Sequence, residues 1–440
     1  MASTYLSRTP SSETNRKTFT WSGWVKRSSL GQNYFFSQGG ATNNNFAILF
    51  NGSDQFYFWD YHGAWDFEFK TNAKYRDTNG WYHFVVAIDT TQATQSDRVK
   101  AYINGEQITS WATANYPNQN DDTRVNNTTE VRLGRYVASE TSYFNGLISH
   151  VHLCEGTQYQ ATAFGSTDAT TGEWKINTSP SVTYGTNGFF ILKDGNSVTD
   201  QSPNTNNFTV GGGTLTKTED NPSNVFATWN PLDNFYANAT LSNGNNYVTT
   251  NGTAETFNTS TLGMSSGKYY FEIKDISSSN ERYAGVSYLP STGTYNWCGN
   301  SASGWGYQNN GIVYNNNSSV GGSWATWTSG DIIGVAINMD DLQGGLNKLY
   351  FSKNGVWQNG ANPSNHSSTT GVVGITSGET YFFATGDKTG SSCQLASNFG
   401  NGIFNQSAVS SAGTNASGIG IFEYDVPTGF TALSTKGLNL

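Results

Sequence analysis

The sequence predicts an all-β protein built from two antiparallel β-sandwich (jelly-roll) domains, and three observations carry that prediction. Helical periodicity is nearly absent, while short aromatic or β-branched runs bounded by Gly, Asn, Ser and Asp recur along the chain; that is the pattern of an antiparallel sandwich or jelly roll. Two distant stretches, "RVKAYINGEQI" (98–108) and "NKLYFSKNGVW" (347–357), each read as two short strands folded back on Asn-Gly. A type I′ turn needs positive φ at both central residues, which Asn and Gly tolerate. Each hairpin follows an alternating strand that ends in an acid, "FVVAID" in one case and "GVAINMD" in the other. The flanking sequences do not align, so the two share a plan and are not tandem copies. Finally, 440 residues exceed one ordinary core, and the 14% aromatic content within 35% hydrophobic makes Phe, Tyr and Trp the main core formers.

The predicted strands follow in order. "TFTWSGWVKRS" (18–28), "FAILF" (46–50), "QFYFW" (55–59), "WDFEFK" (65–70) and "WYHFVVAID" (81–89) open the first half. "RVKAYI" (98–103), "EVRLGRY" (130–136) and "FNGLISHVHLCEG" (144–156) close it. Residues 166–225 are turn-rich, with "GFFILKD" (188–194) the clear strand among them, and are read as an ordered bridge, because a free linker would not need Phe189, Phe190, Ile191 and Leu192. Strand signals resume with "KYYFEIKD" (268–275), "RYAGVSYL" (282–289), "GIVYNN" (311–316), "IIGVAINMD" (332–340), "KLYFSKNGVW" (348–357) and "YFFATGD" (381–387). The expected domains are 1–165 and 226–405, joined by the bridge at 166–225, with a C-terminal tail at 406–440 that docks back.

Charge narrows the partners. The net charge is −9, from 23 basic and 32 acidic residues, and charged residues make up only 12%, about half of the roughly 25% usual for soluble domains. No cluster of Lys or Arg is present to neutralise phosphates, so nucleic acid is excluded as a partner. A sparsely charged, acidic surface suits neutral, hydroxyl-rich partners or other proteins. Cys154, Cys298 and Cys393 lack metal-ligand spacing and are expected as small buried thiols. The start "MASTYLSRTPSS" has no apolar run, which predicts neither signal peptide nor membrane insertion. In an Asn-, Ser- and Thr-rich chain, the sequons at Asn51, Asn238 and Asn251 arise by chance.

Several motifs resemble known families. "TFTWSGWVKRS", "NGWYHFVVAIDTTQ", "RVKAYINGEQI" and "YFNGLISHVHLCEG", in that order, resemble a laminin-G-like, concanavalin A-like lectin/glucanase domain. "SSGKYYFEIKD", "AGVSYL", "GWGYQNNGIVYNNN", "SGDIIGVAINMD" and "KLYFSKNGVW" are similar to a SPRY domain, a bent sandwich of related fold. With the flanks "YLSRTPSSETNRKTFTWSGWVKRS", "DNPSNVFATWNPLD" and "YDVPTGFTALSTKGLNL", the pairing resembles virion-associated proteins of marine tailed bacteriophages. That resemblance implies a structural or adhesive part of a phage particle, made in the bacterial cytoplasm.

Chemistry is sparse. Some glucanases of this fold carry Glu-x-Asp-x-Glu on one strand; in "WDYHGAWDFEFK" Asp66 and Glu68 match the last two acids, but Ala64 stands at the nucleophile position. Residues at i and i+2 lie about 7 Å apart on a strand face, whereas a retaining mechanism needs about 5–5.5 Å. The plainer expectation has Trp65, Phe67 and Phe69 pointing inward with Asp66, Glu68 and Lys70 solvated, and no enzyme. His150 and His152 alternate on a strand without a nucleophile motif. This lectin fold often binds calcium, and the loop acids Asp121-Asp122 and Asp340-Asp341 are the carboxylates that would hold it; solvated turn acids are the plainer expectation, and no cofactor is expected.

Binding is the better expectation. Residues 56–59 are aromatic on both strand faces, so one of those faces is not only core, and Trp59, Tyr61 and Trp65 flank a turn at His62-Gly63. Sugars stack on aromatic faces through apolar C–H patches. In the second domain Tyr295, Trp297, Trp305 and Tyr307 lie near loops of the kind SPRY domains use to grip partners. Each cluster has core or subunit contact as its plainer alternative. The expected function is a non-enzymatic phage virion protein displaying lectin-like domains to host-surface glycans. Its other partners would be virion proteins and copies of itself. The runner-up is a capsid decoration or cement protein, and the third reading is a glycan-degrading enzyme.

Overall fold

A computed structural model describes residues 3–193, 197–233, 237–277, 281–289, 297–388 and 392–440. It is all-β: among the described residues the helical segments are short 3-10 turns such as Gln95–Asp97. The chain divides into two compact units, Met1–Thr216 and Lys217–Leu440. Each is a pair of antiparallel sheets closed over an aromatic core.

In the first unit an eight-stranded sheet runs in the order Trp111–Asn115, Trp65–Lys74, Gln55–His62, Asn44–Phe50, Asn33–Ala41, Val131–Leu133, Tyr5–Arg8 and Thr209–Gly212. A six-stranded sheet opposes it, in the order Phe189–Ile191, Gly146–Glu155, Thr18–Arg27, Tyr82–Asp89, Val99–Ile103 and Glu106–Gln107. Period-two alternation sends Phe46, Ile48, Phe56, Phe58, Phe67 and Phe69 inward from the first sheet, to meet Phe19, Trp21, Phe84 and Val86 from the second. Phe56 and Phe84 stack across the sandwich at 4.0 Å. Residues 166–216, set apart as a bridge in the sequence, fall within this unit. Phe189–Ile191 extends one sheet and Thr209–Gly212 the other.

The second unit follows the same principle. Lys268–Ser277, Ile332–Gln343 and Leu346–Lys353 form the centre of a nine-stranded sheet, and Phe382–Asp387, Arg282–Ser287 and Gly304–Gln308 the centre of a six-stranded one. Phe271 and Phe383 join the two at 4.5 Å. The tail docks as expected: Thr431–Ala432 pairs in parallel with Lys268–Ser277, and Phe422, Val426 and Phe430 are buried.

Both Asn-Gly pairs are two-residue turns. Ile103 pairs with Glu106 and Lys353 with Val356, and φ is positive at Asn104, Gly105, Asn354 and Gly355. The likeness extends beyond the turn. Asn104 Oδ1 accepts from the His83 backbone N–H and Asn354 Oδ1 from that of Ile332, each on the preceding strand. An aromatic ring from a later segment then lies against each glycine. A Cβ at Gly105 would sit 2.4 Å from Trp174, and one at Gly355 2.5 Å from Tyr424. Gly355→Ala is therefore expected to cost roughly 1–3 kcal/mol in backbone strain and, in addition, to displace Tyr424. Gly344→Ala, also at positive φ but with open space around its Cβ, should cost the backbone part alone. Urea unfolding of both variants tests this, and equal losses would show that the ring contact contributes nothing.

Three of the four outer sheet faces are covered by the chain's own segments. Over the first unit's six-stranded sheet, Ala161, Phe164 and Tyr184 pack on Val85, Tyr102 and Cys154. The tail covers Tyr270, Ala336 and Tyr350 on the nine-stranded sheet. On the second unit's six-stranded sheet, Gly306 leaves room for Cys298, whose carbonyl oxygen would lie 2.1 Å from a Cβ there. The outer face of the eight-stranded sheet carries the fourth surface.

Candidate functional site

That fourth surface is built from strand alternation. Along Gln55–His62, Phe56 and Phe58 enter the core, so Tyr57, Trp59 and Tyr61 face outward. Register places Asn115, Glu68, Trp59, Ala47, Ser37 and Arg132 in one row across the sheet. Tyr34 and Tyr136 stack on each other at 4.5 Å, and Trp59 meets Tyr136 edge-on at 6.1 Å. Trp65 continues the run, 6.0 Å from Trp59 and 4.7 Å from Tyr61. Ala47 and Leu49 are sealed beneath these rings.

Trp65 corrects the sequence expectation. It was expected inward with Phe67 and Phe69, yet it is 49% exposed. The cause is a β-bulge: Asp60 opposes Phe67, but Tyr61 opposes Trp65, so one extra residue flips Trp65 to the outer face. Trp59, by contrast, is 6% exposed and is the anchor of the platform more than its surface; its Nε1 donates to Asn45 Oδ1 at 3.0 Å.

The acids beside the rings are held. Glu68 Oε1 accepts from the Tyr57 hydroxyl at 2.6 Å and Oε2 from Asn115 Nδ2 at 3.4 Å, with Lys70 Nζ 3.9 Å away. Burial and this carboxylate both raise the Tyr57 phenol above its ordinary value. Asp66 Oδ2 lies 3.3 Å from Arg124 Nη2, and the fully buried Asp60 accepts the Arg124 backbone N–H at 2.6 Å. Burial pushes Asp60 up to about 8 despite Arg124, with Asp66 adding to the rise. These contacts position the acids structurally, and Ala64 supplies no third carboxylate.

The second-domain candidates are placed differently. Trp305 and Tyr307 point into the core, with Tyr307 5.2 Å from Phe351, so neither presents a face to a ligand. Trp297 is buried on an outer face, packed at a tilt against Tyr283 at 4.8 Å, with Lys388 Nζ 4.8 Å above its ring. Tyr295 lies outside the described residues. Asp340 and Asp341 both hold Lys268 Nζ, at 3.1 Å each, so an ammonium group already sits where a cation would go. Asp121 Oδ2 accepts the Asn118 backbone N–H at 2.8 Å, closing its own turn. Among the described residues no group of three or more His, Cys, Asp or Glu is arranged to hold a metal.

One serine–histidine contact went unnoticed in the sequence. Ser22 Oγ lies 2.8 Å from His83 Nε2, and His83 Nδ1 accepts from Trp174 Nε1 at 3.0 Å. That acceptance fixes the proton on Nε2, so the imidazole donates to Ser22 and cannot act as its base. Burial lowers His83 to about 3, so the ring is neutral and structural. His152 is likewise buried, stacked on Phe190 at 3.9 Å. Tyr34, Tyr57 and Tyr136 are the platform residues that sequence reasoning missed. Tyr57 was signalled by the aromatic run at 56–59, but nothing local links Tyr34 to Tyr136.

The chain matches no curated protein. Among solved structures it is similar to the SPRY domain of human HERC1 (15% identity, 38% of this chain and 96% of that one, TM-score 0.30). It is similar also to the PSpry domain of TRIM65 (14%, 39% and 88%, TM-score 0.28). A third likeness is to domain 4 of AbnA, an extracellular arabinanase from Geobacillus stearothermophilus, in complex with arabinotriose (24%, 32% and 61%, TM-score 0.26). Among the described residues no helix is long and apolar enough to cross a membrane. Residues 2–162, which contain every ring of the platform, match the family described as the concanavalin A-like lectin/glucanases superfamily.

Proposed function

We propose that the protein is a non-enzymatic, glycan-binding component of a bacteriophage particle, and that the outer face of the eight-stranded sheet is its binding surface. The observation that carries this reading is the platform of Trp65, Tyr61, Trp59 and Tyr136, laid over a sheet whose core is already complete on its other side. Rings in this position add nothing to the sandwich interior, and Trp65 is half exposed. The lectin-type family match supports sugar as the ligand class. The phage assignment rests on the paired domains and flanking motifs of the sequence. Ala64, and acids tied to Tyr57, Asn115 and Arg124, support a reading without turnover.

Ring stacking of this kind contributes about 0.5–1.5 kcal/mol per contact, so a single copy binds weakly. Many copies on one particle would raise binding by roughly 10²–10⁴. Mass spectrometry and immunogold labelling of purified particles test the location. Particles carrying Trp65→Ala are expected to adsorb to host cells several-fold more weakly, with the protein still folded and incorporated. Incubation with host polysaccharide should release no reducing sugar. Normal adsorption by a folded Trp65→Ala, Tyr61→Ala particle would favour a decoration role contacting only other virion proteins.

A further inference from the structure

The chain carries eleven Asn-Gly pairs, and the fold makes them chemically unequal. In such a pair the glycine nitrogen has no side chain of its own to shield it, so it can reach the asparagine carboxamide carbon when that group is able to turn. In nine of the eleven the carboxamide is held by hydrogen bonds. Asn104 and Asn354 each accept a backbone N–H from the preceding strand at 2.8 Å. Asn187 is buried and donates to Ser12 O at 2.9 Å and to Thr14 Oγ1 at 2.8 Å. Asn401, also buried, accepts the Phe399 backbone N–H at 3.1 Å.

Two pairs lack such a bond among the described residues. At Asn79–Gly80 the carboxamide oxygen is enclosed by protein, so the group is confined even without a partner. At Asn359–Gly360 both residues are exposed. Asn359 has φ 53 and ψ 30 within the short turn Gln358–Gly360, and the flanks of that turn are pinned. Gln358 Oε1 accepts the Ala325 backbone N–H at 3.1 Å, and its Nε2 donates to Val356 O at 2.8 Å. Ala361 N donates to Gln358 O at 3.0 Å. The dipeptide is thus an exposed arch between fixed ends.

We propose that Asn359 is a self-modification site, converting to aspartate and isoaspartate ahead of the other Asn-Gly pairs in the folded protein, and that the change loosens the seat of the C-terminal segment. The Gly360 nitrogen bonds to Asn359 Cγ, the Cγ–Nδ2 bond breaks, and ammonia leaves with the proton that the nitrogen gives up. Water then opens the five-membered imide. Attack at Cγ gives aspartate; attack at the main-chain carbonyl gives isoaspartate, whose backbone runs through the former side chain and is one methylene longer. For the ring to close, ψ must rotate away from 30°, and no side-chain bond resists that rotation. The extra methylene falls between Trp357 and Ala361, which pack in the cluster that Phe422, Val426 and Phe430 of the tail complete.

Peptide mapping by mass spectrometry of the full chain, held in warm, mildly alkaline buffer and sampled over time, tests the site. The peptide containing Asn359 is expected to gain about one mass unit roughly two- to ten-fold faster than any other Asn-Gly peptide, the factor by which one hydrogen bond that must first break slows a step. In denaturant the eleven rates should converge, because the fold alone separates them. Asn359→Gln should remove the fast site and leave the others unchanged. Amide exchange across Phe422–Phe430 should quicken in aged wild-type protein and not in aged Asn359→Gln. Faster modification at any other pair of the folded chain, Asn79 above all, or an unchanged ranking in denaturant, would overturn the site. Modification at Asn359 with unchanged exchange across the tail would overturn its effect on that segment.

Discussion

Replacing Glu272 by Leu should undock the C-terminal segment 406–430 and destabilise the second unit by about 2–6 kcal/mol, the cost of two buried amides that lose their acceptor. Glu272 lies on the outer face of the nine-stranded sheet and is completely buried. Its carboxylate accepts the backbone N–H groups of Glu423 and Tyr424 at 2.9 Å each, the Tyr270 hydroxyl at 3.0 Å and Asn398 Nδ2 at 3.3 Å. No other side chain could receive both tail amides from that position. Leucine would leave them buried and unpaired, at about 1–3 kcal/mol each, beneath the rings that seal Tyr270 to Phe422 at 5.0 Å. Fast amide exchange across Phe422–Phe430, together with new protease cleavage after residue 405, is the expected signature. Glu272→Gln, which keeps one acceptor and the shape, should lose much less. Unchanged exchange in Glu272→Leu would mean that apolar contacts of Phe422, Val426 and Phe430 hold the tail alone.

How much of this was legible depends on the range of the interaction. The hairpins were, because a two-residue turn is decided by the residues inside it: Asn104-Gly105 and Asn354-Gly355 need no neighbour to declare positive φ. The sandwich class was legible for the same reason, since alternation is a local property. The bulge at Asp60–Tyr61 was not, because an extra residue in "WDYHGAWDFEFK" leaves the period readable in two phases and only pairing chooses between them. That choice decides whether Trp65 is core or surface. Trp305 and Tyr307 went the other way: loops nearby made them look like contact residues, but their strand phase sends them inward. The platform was half visible. Trp59, Tyr61 and Trp65 are neighbours in sequence, whereas Tyr34 and Tyr136 meet only because Val131–Leu133 pairs with Asn33–Ala41. The covering segments were the least legible. "STDATTGEW" reads as turn, and nothing in it announces that Trp174 will cap Gly105 and donate to His83.

The two units should respond to acid in opposite directions. In the second unit, burial raises both Glu272 and Asp387 to about 7, against unfolded values of about 4.3 and 3.9. A raised carboxyl binds its proton in the folded state first, so the folded state gains stability as pH falls from 7 towards 4.5 and loses it as pH rises through 7. Two such groups together give at most roughly 3 kcal/mol per pH unit. The first unit contains one such group, Asp60 at about 8, but also the buried His83, lowered to about 3, and His152, lowered well below its ordinary value. The unfolded chain protonates both histidines below about pH 6.5, while the folded chain keeps them neutral. Below that pH two histidines oppose one carboxyl and stability falls; above it Asp60 acts alone and stability falls again. The first unit is therefore expected to be most stable near pH 6.5. The lowered carboxyls Asp54, Asp89, Asp331, Asp341 and Asp425 titrate below about pH 4 and leave this window untouched. Moving from pH 6.5 to 5 should lower the first unit's melting transition by roughly 4–8 °C and raise the second's by roughly 8–16 °C, at about 2–4 °C per kcal/mol for domains of this size. Scanning calorimetry across pH 5–8 measures both, with Gly355→Ala marking which transition belongs to the second unit. His83→Gln should flatten the acid limb of the first transition only. If both transitions moved together, buried carboxyls and histidines would not be the groups that set the pH dependence, and the charged surface pairs would take that role.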